Sequence, residues 1–323
     1  MLFKKVVIFL LLFISIFIFS GCAKEEYKED CLRFGVLRVE DALPVYTAER
    51  TGLFENEVEV IIFSNTREMD LALEAGVIDG ILTDLVRSIL IKGGEEDVRI
   101  VASASPNPSL KRKFAIVAAP ESNIYSSSDL NNSETGISEN SIALFLTEKL
   151  LFDKKVSNVS FKSVPDIKLR FESLLSNSLE TALLPEPLVT YAEQEGGRVI
   201  IADTELGKNY SQTVYLFREK YLQENKDKVE NFLEDVLTAG GFLNENPEKY
   251  LSLVAEKAGI NEKLLSDYKI YSIEKVFLPE LEIINEVNEW MIDKKITNKR
   301  YDFDELVTRE FIGEEKWTIN KNQ

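Results

Sequence analysis

The sequence predicts an α/β protein of two similar lobes, each with a mainly parallel sheet, followed by a helical C-terminal extension. From residue 32 onward, short apolar segments alternate with segments of helical periodicity. A second set of alternating elements begins near residue 114, and beyond residue 217 the pattern is helical throughout. Such alternation is typical of parallel sheets covered by helices.

The first set contains four predicted strands with helices between them. Pro44 suits the first turn of a helix that ends at Thr51. A second helix is predicted over Thr66–Glu74, and Asp84 can cap a third helix that begins at Leu85. The strands are predicted at Leu32–Leu37, Val58–Ser64, Val77–Leu82 and Val98–Ala104.

The second set repeats this organisation. Helices are predicted after Asn140-Ser141 and over Leu169–Leu175. The segments 72–84 and 174–186 echo each other, since each runs from a helix end through a tight turn and a short strand to a polar residue. The echo predicts two lobes of similar construction. The strands of this set are predicted at Phe114–Ala119, Thr135–Ser138, Val159–Val164, Thr181–Leu184 and Arg198–Ile201.

The C-terminal part follows a last predicted strand at Val214–Phe217. In the segment Asp227–Phe242, apolar residues recur at helical spacing and form a stripe that must be covered. We expect the helices to pack on the outside of the first lobe, and Trp290 and Trp317 to be core or anchor residues. The shorter helices are predicted at Tyr250–Ala258, Glu262–Tyr268, Pro279–Ile292 and Phe303–Phe311.

Composition excludes several classes of function. The chain has 323 residues, no histidine and a formal charge of −17. The absence of histidine removes Ser/His and Cys/His nucleophilic sites and the commonest zinc ligand. The acidity argues against nucleic-acid binding, which needs a clustered basic face. Composition alone does not exclude an enzyme whose chemistry uses carboxylates or a cofactor.

The first 22 residues are typical of a bacterial lipoprotein signal. Lys4 and Lys5 precede an apolar run, Val6–Phe19, that is shorter than the about 20 residues needed to span a bilayer. We predict a signal peptide over residues 1–21, acylation (palmitate or a similar chain) of Cys22, and a lipidated tether over residues 22–31. Phe19 stands where such signals usually carry leucine, so an ordinary signal peptide is the alternative.

Several short motifs together resemble the nitrate/sulfonate/taurine and thiamine-precursor substrate-binding proteins of ABC importers. The first is Leu43–Glu55, which contains Ala48-Glu49 and Gly52-Leu53-Phe54 and precedes Val58-Glu59-Val60. Their order and spacing carry the resemblance over roughly residues 32–255. The other motifs are Ala75–Gly80, Ser128–Leu130 before Gly136–Ser138, Leu184–Pro187, and Val229–Phe232 with Asn246–Tyr250.

The resemblance implies a type II periplasmic-binding-protein fold, in which two α/β lobes joined by two crossing strands close on a ligand. Mapped onto this chain, lobe 1 comprises residues 32–113 and 218–323. Lobe 2 comprises residues 114–217, including crossing strands near Phe114–Ala119 and Gln212–Phe217.

The resemblance also implies a function. It indicates a monomeric binding protein, held on the extracytoplasmic face of the cell membrane by its lipid, that delivers a small molecule to an ABC permease with a cytosolic ATPase. It implies no catalysis, no cofactor and no metal. A sensor that presents its ligand to a membrane partner is the alternative. An enzyme on the same fold, as in the related fungal pyrimidine synthases, would depend on histidine.

Ligands of open α/β sheets bind beyond the carboxyl ends of strands, near helix N-termini. Arg38 and Arg170 are candidate cations for an anionic group, although the helical context of Arg170 also suits a surface salt bridge. Asp84 and Ser141 have helix capping as an alternative role, and Glu186 has that of an exposed turn acid. The predicted ligand-binding residues are Arg38, Leu43, Thr66, Thr83, Asp84, Asn140, Ser141, Arg170 and Glu186.

Two kinds of ligand are compatible with these residues. The acids and arginines together favour a molecule with an amine-like end and an anionic end, which taurine-like molecules have. A pyrimidine precursor would instead need aromatic stacking. The aromatic residues available for that are Tyr46, Phe63, Tyr191 and Tyr210.

Overall fold

The computed structural model describes residues 31–55, 57–94, 97–104, 112–265, 268–270 and 277–312. The predicted signal peptide, Cys22 and Trp317 lie outside the described residues. In the described part of the chain, ten strands are present. They are β1 (Leu32–Leu37), β2 (Val58–Phe63), β3 (Gly80–Asp84), β4 (Val98–Ser103), β5 (Phe114–Ala118), β6 (Glu134–Ile137), β7 (Ser160–Ser163), β8 (Thr181–Pro185), β9 (Arg198–Ala202) and β10 (Thr213–Arg218).

Helices connect the strands and form the C-terminal part. Short 3₁₀ helices lie at Glu40–Ala42, Ser127–Leu130, Asp203–Glu205, Pro247–Tyr250 and Glu262–Leu265. The α-helices are α1 (Leu43–Thr51), α2 (Thr66–Glu74), α3 (Leu85–Lys92), α4 (Ile142–Asp153), α5 (Ile167–Leu175), α6 (Leu188–Gln194), α7 (Glu219–Glu224), α8 (Lys226–Glu245), α9 (Leu251–Ala258), α10 (Leu281–Asp293) and α11 (Phe303–Leu306).

The strands form two five-stranded sheets of the same design within the described residues. The first sheet has the order β2-β1-β3-β10-β4 and the second the order β7-β6-β8-β5-β9. In each sheet the first three strands are parallel, and the fourth runs antiparallel to both of its neighbours. We call the first sheet with its covering helices lobe 1, and the second lobe 2.

The segments of the sequence echo lie at corresponding places in the two sheets, but the residue-by-residue match is shifted by one position, so that Asp84 corresponds to Pro185 and not to Glu186. The strands that carry the echo, β3 and β8, are each third in their sheet. A Cβ atom on Gly35 of β1 would lie 2.8 Å from Ile78, and one on Gly136 of β6 would lie 2.6 Å from Leu179. Each lobe thus packs a large side chain, just ahead of its third strand, against a bare glycine. The prediction of two similar α/β lobes is confirmed.

The antiparallel strand of each sheet comes from the part of the chain that crosses between lobes. β5 pairs with β8 and β9 in the second sheet, whereas β10 pairs with β3 and β4 in the first. The predicted residue boundaries of the lobes remain a proposal. In the structure, β10 (Thr213–Arg218) forms its strand hydrogen bonds with β3 and β4 and is therefore part of the sheet of lobe 1.

The C-terminal helices cover lobe 1. α8 packs on α1, and α10 packs on α3. Phe232 of α8 lies among aromatic side chains of the first sheet, with its ring centroid 4.5 Å from that of Phe34 and 5.9 Å from those of Tyr215 and Phe217. This contact attaches the helical extension both to β10, which nearly adjoins it in the chain, and to β1, which precedes Phe232 by almost 200 residues.

The two lobes also contact each other through α4 of lobe 2 and α10 of lobe 1. Trp290 packs edge-on against Phe145, with centroids 5.1 Å apart, and its Nε1 donates to Glu148 at 2.8 Å. Lys149 forms an ion pair with Glu286 at 2.6 Å. The interpretation of Trp290 as an anchor residue is therefore correct, and the anchor joins the two lobes.

Several predicted elements differ from those observed. β3 begins at Gly80 rather than Val77, because the N–H groups of Val77 and Ile78 still donate to the Ala72 carbonyl at the end of α2. The last predicted helix ends at Leu306, because Val307 is extended and bridges to Ile100. Within the predicted helix Glu262–Tyr268, the residues Glu262–Leu265 form a 3₁₀ helix, and the prediction lacks α6 and α7.

Phe232→Ala should destabilise the protein by about 3–5 kcal/mol, because it leaves a cavity at the centre of an aromatic cluster. Urea denaturation of the purified protein measures this change. Phe152→Ala is the matched control, since that side chain is 84% exposed, and it should change the unfolding free energy by no more than about 0.5 kcal/mol. Equal effects of the two substitutions would contradict the packing described for α8.

Candidate functional site

The carboxyl ends of strands from both sheets converge on one cavity between the lobes. About 90 Å³ of it can be reached by the centre of a water molecule, which is room for several waters or one small organic molecule. The residues that lobe 1 contributes to the lining are Leu37, Val39, Glu40, Asp41, Asn65, Thr66, Leu82, Thr83 and Asp84. Those from lobe 2 are Ser138, Ser141, Ile142, Ala143, Pro165, Ile167, Arg170, Pro185 and Glu186. The crossing segments contribute Lys113, Phe114, Ser211 and Thr213.

Four helices begin beside this cavity, and each is capped by a side chain just ahead of it. Asn65 caps α2, Asp84 caps α3, Ser141 caps α4 and Asp166 caps α5, each by accepting from a backbone N–H two or three residues on, at 2.8–3.1 Å. The capping role considered for Asp84 and Ser141 is therefore present, and both residues also line the cavity.

Arg170 is a buried cation on the lobe 2 wall. Its side chain is nine-tenths or more buried, and it donates from Nε to the Leu183 carbonyl at 2.9 Å and from Nη1 to the Val164 carbonyl at 2.7 Å. No carboxylate of the described residues lies within ion-pair distance of it. Burial lowers the pKa of Arg170 to about 10, so the guanidinium stays charged at neutral pH. The interpretation as a surface salt bridge does not hold.

Glu186 is a buried acid whose charge is neutralised within lobe 2. Its Oε1 accepts from Arg112 Nε at 2.7 Å, and its Oε2 accepts from the N–H of Thr190 at 3.0 Å near the start of α6. The interpretation as a solvent-exposed turn acid is wrong, because only 3% of the residue is exposed. Glu186 borders the cavity with both of its oxygens already bonded.

Asp41 and Lys113 form a buried ion pair at the floor of the cavity. Lys113 Nζ lies 2.8 Å from Asp41 Oδ2 and donates to the Ser211 carbonyl at 2.8 Å. Thr213 also donates to Asp41 Oδ2. Lys113 precedes β5 and Thr213 opens β10, so this cluster joins both crossing segments to the loop after β1.

Thr83 and Asp84 end β3 and form the centre of the lobe 1 wall. The Thr83 hydroxyl is buried and has no hydrogen-bond partner among the described residues. Burial raises the pKa of Asp84 to about 6, although its bonds from the backbone N–H groups of Arg87 and Val86 oppose the shift. Asp84 is thus a carboxyl group whose charge depends on pH near neutrality.

Three predicted site residues lie away from the cavity. Leu43 is buried in the core of lobe 1. Arg38 is exposed and donates to the Lys257 carbonyl at 2.9 Å, and Asn140 is an exposed turn residue with a φ of 49°. The structure brings the other six together. Those six lining residues are Thr66, Thr83, Asp84, Ser141, Arg170 and Glu186.

The aromatic residues considered for stacking also lie elsewhere. Tyr46 is a core residue that donates to the Leu37 carbonyl at 2.8 Å. Tyr191 packs on Phe171, and Tyr210 donates to Glu286 at the contact between lobes. Among the described residues that line the cavity, none is a tyrosine or tryptophan.

The prediction missed Glu40, Asp41 and Lys113. The first two lie in the segment 38–43 after the carboxyl end of β1, from which the prediction took Arg38 and Leu43 instead. Lys113 lies just ahead of an apolar crossing strand, and its buried position depends on partners distant in the sequence, among them Asp41 and the Ser211 carbonyl. Among the described residues, no group of three or more His, Cys, Asp or Glu side chains is arranged to hold a metal ion. No helix in the same part of the chain is long and apolar enough to cross a membrane.

Comparison with protein families gives a match over most of the chain. The model of the family described as NMT1/THI5 like matches residues 40–250. This range includes both crossing strands and every lining residue from Glu40 onward. No curated protein sequence is significantly similar to the chain.

Solved structures share the two-lobed architecture at low sequence identity. The aliphatic sulphonate binding protein SsuA from Escherichia coli is 17% identical, with 91% of this chain and 98% of that chain covered and a TM-score of 0.72. The alkanesulfonate-binding protein SsuA from Xanthomonas axonopodis pv. citri, bound to MOPS, is 15% identical, with 86% and 98% covered and a TM-score of 0.73. The nitrate-binding protein NrtA from Synechocystis PCC 6803 is 14% identical, with 87% of each chain covered and a TM-score of 0.72.

Asp84→Asn should flatten the dependence of stability on pH. Asparagine keeps the cap of α3, but it cannot titrate. The unfolded chain releases the Asp84 proton near pH 4 and the folded protein near pH 6. The wild type should therefore lose on the order of 2–3 kcal/mol relative to the variant as pH rises across this interval. Chemical denaturation of both proteins at several pH values measures the difference, and parallel pH profiles would contradict the assignment.

Proposed function

The chain belongs to the NMT1/THI5-like family, and on that premise we propose that it is an extracytoplasmic solute-binding lipoprotein. It captures a small molecule between its two lobes and delivers it to an ABC importer. The ligand is sulfonate- or taurine-like, or resembles a thiamine precursor. The proposal concerns binding and transport without catalysis, in keeping with a chain that has no histidine.

The observation that carries the proposal is Arg170. A buried guanidinium without a carboxylate partner is costly unless something else neutralises it. Arg170 keeps two of its donors on backbone carbonyls and lies on the cavity wall. A ligand with an anionic group would supply the missing charge through a charge-assisted hydrogen bond.

Contributions from both lobes support capture by closure. The cavity is lined from two sheets, so a ligand that contacts both walls favours the closed arrangement of the lobes. The contact between α4 and α10 lies outside the cavity lining and joins the same two lobes. Micromolar affinity needs only about 8 kcal/mol, which a few charge-assisted hydrogen bonds and lobe closure can supply.

The buried Arg170 on the cavity wall favours an anionic ligand, and Phe114 is the one aromatic residue among the described residues of the lining. The tyrosines considered for stacking lie outside the cavity, whereas Arg170 faces it. Of the three similar structures described above, two are named for sulfonates and one for nitrate. A sulfonate- or taurine-like molecule is therefore the first choice for this chain, and a pyrimidine-type precursor the second.

Thermal-shift and calorimetric screens test the proposal. We expect at least one small molecule from a panel of sulfonates, amino acids, pyrimidines and oxyanions to raise the melting temperature. Arg170→Gln should weaken binding of that molecule by about 10-fold or more, the loss expected for a charged hydrogen bond. Arg198→Gln is the matched control, because Arg198 is another lobe 2 arginine that bonds backbone carbonyls and lies away from the cavity.

Closure can be followed by fluorescence. In a Trp317→Phe background, Trp290 reports the contact between lobes, and its emission should change when the bound molecule is added. If no member of the panel shifts the melting temperature, or if Arg198→Gln weakens binding as much as Arg170→Gln, the proposed binding function or its site is wrong.

Lipid anchoring predicts a distinct cellular result. In a bacterial host that processes lipoproteins, the wild-type chain should fractionate with the membrane, and Cys22→Ser should appear in the soluble extracytoplasmic fraction. Cys31→Ser is the control and should stay with the membrane. A soluble wild-type protein, or a Cys22→Ser variant that stays with the membrane, would contradict the anchor and leave the binding function untouched.

A further inference from the structure

Helix α10 bridges two helices that begin at opposite walls of the cavity. α3 begins after Asp84 of lobe 1 and α4 begins after Ser141 of lobe 2, and both residues line the cavity. α10 packs on α3 within its own lobe and contacts α4 of the other lobe. Since α10 lies beyond residues 40–250, this bridge belongs to a part of the chain that the family model does not match.

Each of the two helices α4 and α10 places a carboxylate on donors of the other lobe. Glu148 of α4 accepts from Trp290 Nε1 at 2.8 Å and from Lys294 Nζ at 2.6 Å, and both donors belong to lobe 1. Glu286 of α10 accepts from Lys149 Nζ of lobe 2 at 2.6 Å. These three bonds join the lobes. Each of them includes a charged group, which makes it stronger than a bond between neutral groups.

An apolar contact accompanies these bonds. Phe145 of α4 is fully buried and packs with the second hydrophobic cluster of lobe 1, although it belongs to lobe 2. Its ring lies edge-on to the rings of Tyr210 and Trp290, with centroids 5.7 and 5.1 Å away. Moving α4 away from α10 would expose Phe145 to water and break the bonds to Glu148 and Glu286. The contact therefore favours the arrangement in which the lobes lie together.

The cavity wall and the contact lie on the same helix of lobe 2. Ile142 and Ala143, in the first turn of α4, line the cavity. Phe145 and Lys149, in the turns that follow, contact α10. Because an α-helix is held together by its own backbone hydrogen bonds, these residues move as one unit. A shift of α4 at the contact is therefore also a shift of the lobe 2 wall.

Building on the binding function proposed above, we infer that the contact between α4 and α10 sets the affinity for the ligand without touching it. The contact raises the fraction of molecules whose two cavity walls are close enough to bind one ligand together. The apparent dissociation constant equals the intrinsic constant divided by this fraction. Glu148, Lys149, Glu286 and Trp290 are then positioning residues, because they act on the ligand only through the position of α4.

A matched pair of lysine substitutions, in α4 and just after it, tests the inference. Lys149→Met removes the ion pair between the lobes and keeps an apolar side chain beside Phe145. Lys154→Met removes ion pairs with Asp153 and Glu205, both of lobe 2. Both lysine side chains are 28% exposed, so the two substitutions should lower the stability in urea to a similar, small extent.

Calorimetry measures the affinities of these variants. The probes are 2-aminoethanesulfonate, ethanesulfonate, nitrate and any ligand found in the screen described above. Lys149→Met should weaken binding by about 3- to 10-fold, since it removes one charge-assisted bond of the closed arrangement. Lys149→Arg keeps the charge and should retain most of the affinity. Lys154→Met should bind as tightly as the wild type.

X-ray scattering tests the contact without any ligand. Trp290→Ala removes the indole from Phe145 and Glu148, whereas the buried side chains of α10 that face lobe 1 remain, so the variant should fold. Its radius of gyration should be larger than that of the wild type, because fewer molecules have their lobes together. Phe152→Ala changes an exposed side chain of α4 and is the control, with an unchanged radius expected.

The outcomes separate this inference from the binding function. The inference is wrong if Lys149→Met binds a probe as tightly as Lys154→Met does, and the binding function then stands. The inference is also wrong if Trp290→Ala has the radius of gyration of the wild type. If no small molecule binds, the binding function fails and the claim about affinity fails with it. A larger radius of Trp290→Ala would still show in that case that the contact holds the lobes together.

Discussion

The arrangement of the cavity depends on the backbone pairing of the two crossing strands. β10 inserts antiparallel between β3 and β4, so that Thr213 pairs with Asp84. β5 inserts between β8 and β9, so that Phe114 pairs with Pro185. Each crossing strand thus starts or ends beside the carboxyl end of the third strand of a sheet. This pairing brings both sets of strand ends to one place and puts Lys113 between them.

Charge balance explains how so many ionised groups can be buried around one small volume. Lys113 neutralises Asp41, and Arg112 neutralises Glu186, in each case at 2.7–2.8 Å. Pairs of this kind hold the crossing segments and the start of α6 in place, since removing one partner would leave a buried charge. Arg170 and Asp84 are left without such a partner in the described chain. Buried groups that the fold itself does not satisfy are typical of functional sites.

The two lobes share a scaffold and differ in the chemistry at its equivalent positions. Gly35 and Gly136 make the same close approach in the two sheets. At the ends of the third strands, however, lobe 1 has Thr83-Asp84, whereas lobe 2 has Leu184-Pro185 and then the paired Glu186. The two lobes therefore have the same fold but place different side chains at the equivalent positions that line the cavity. The C-terminal helices add a further asymmetry, because they cover lobe 1 and contact lobe 2 through Trp290.

The sequence by itself determined the order of strands and helices, the paired design of the lobes and the caps at Asp84 and Ser141, because periodicity and capping depend on residues a few positions apart. Cavity membership of Thr83 and Asp84 also followed from their place at a strand end. Only the tertiary structure decided which charged side chains have an ion-pair partner and which have none among the described residues. The helical context of Arg170 suggested a surface residue, but packing buries it. Glu186 forms an ion pair with Arg112, which lies 74 positions away. Asp41 forms one with Lys113, which precedes the first crossing strand. Such pairings depend on how the crossing strands join the sheets, which no local pattern of residues specifies.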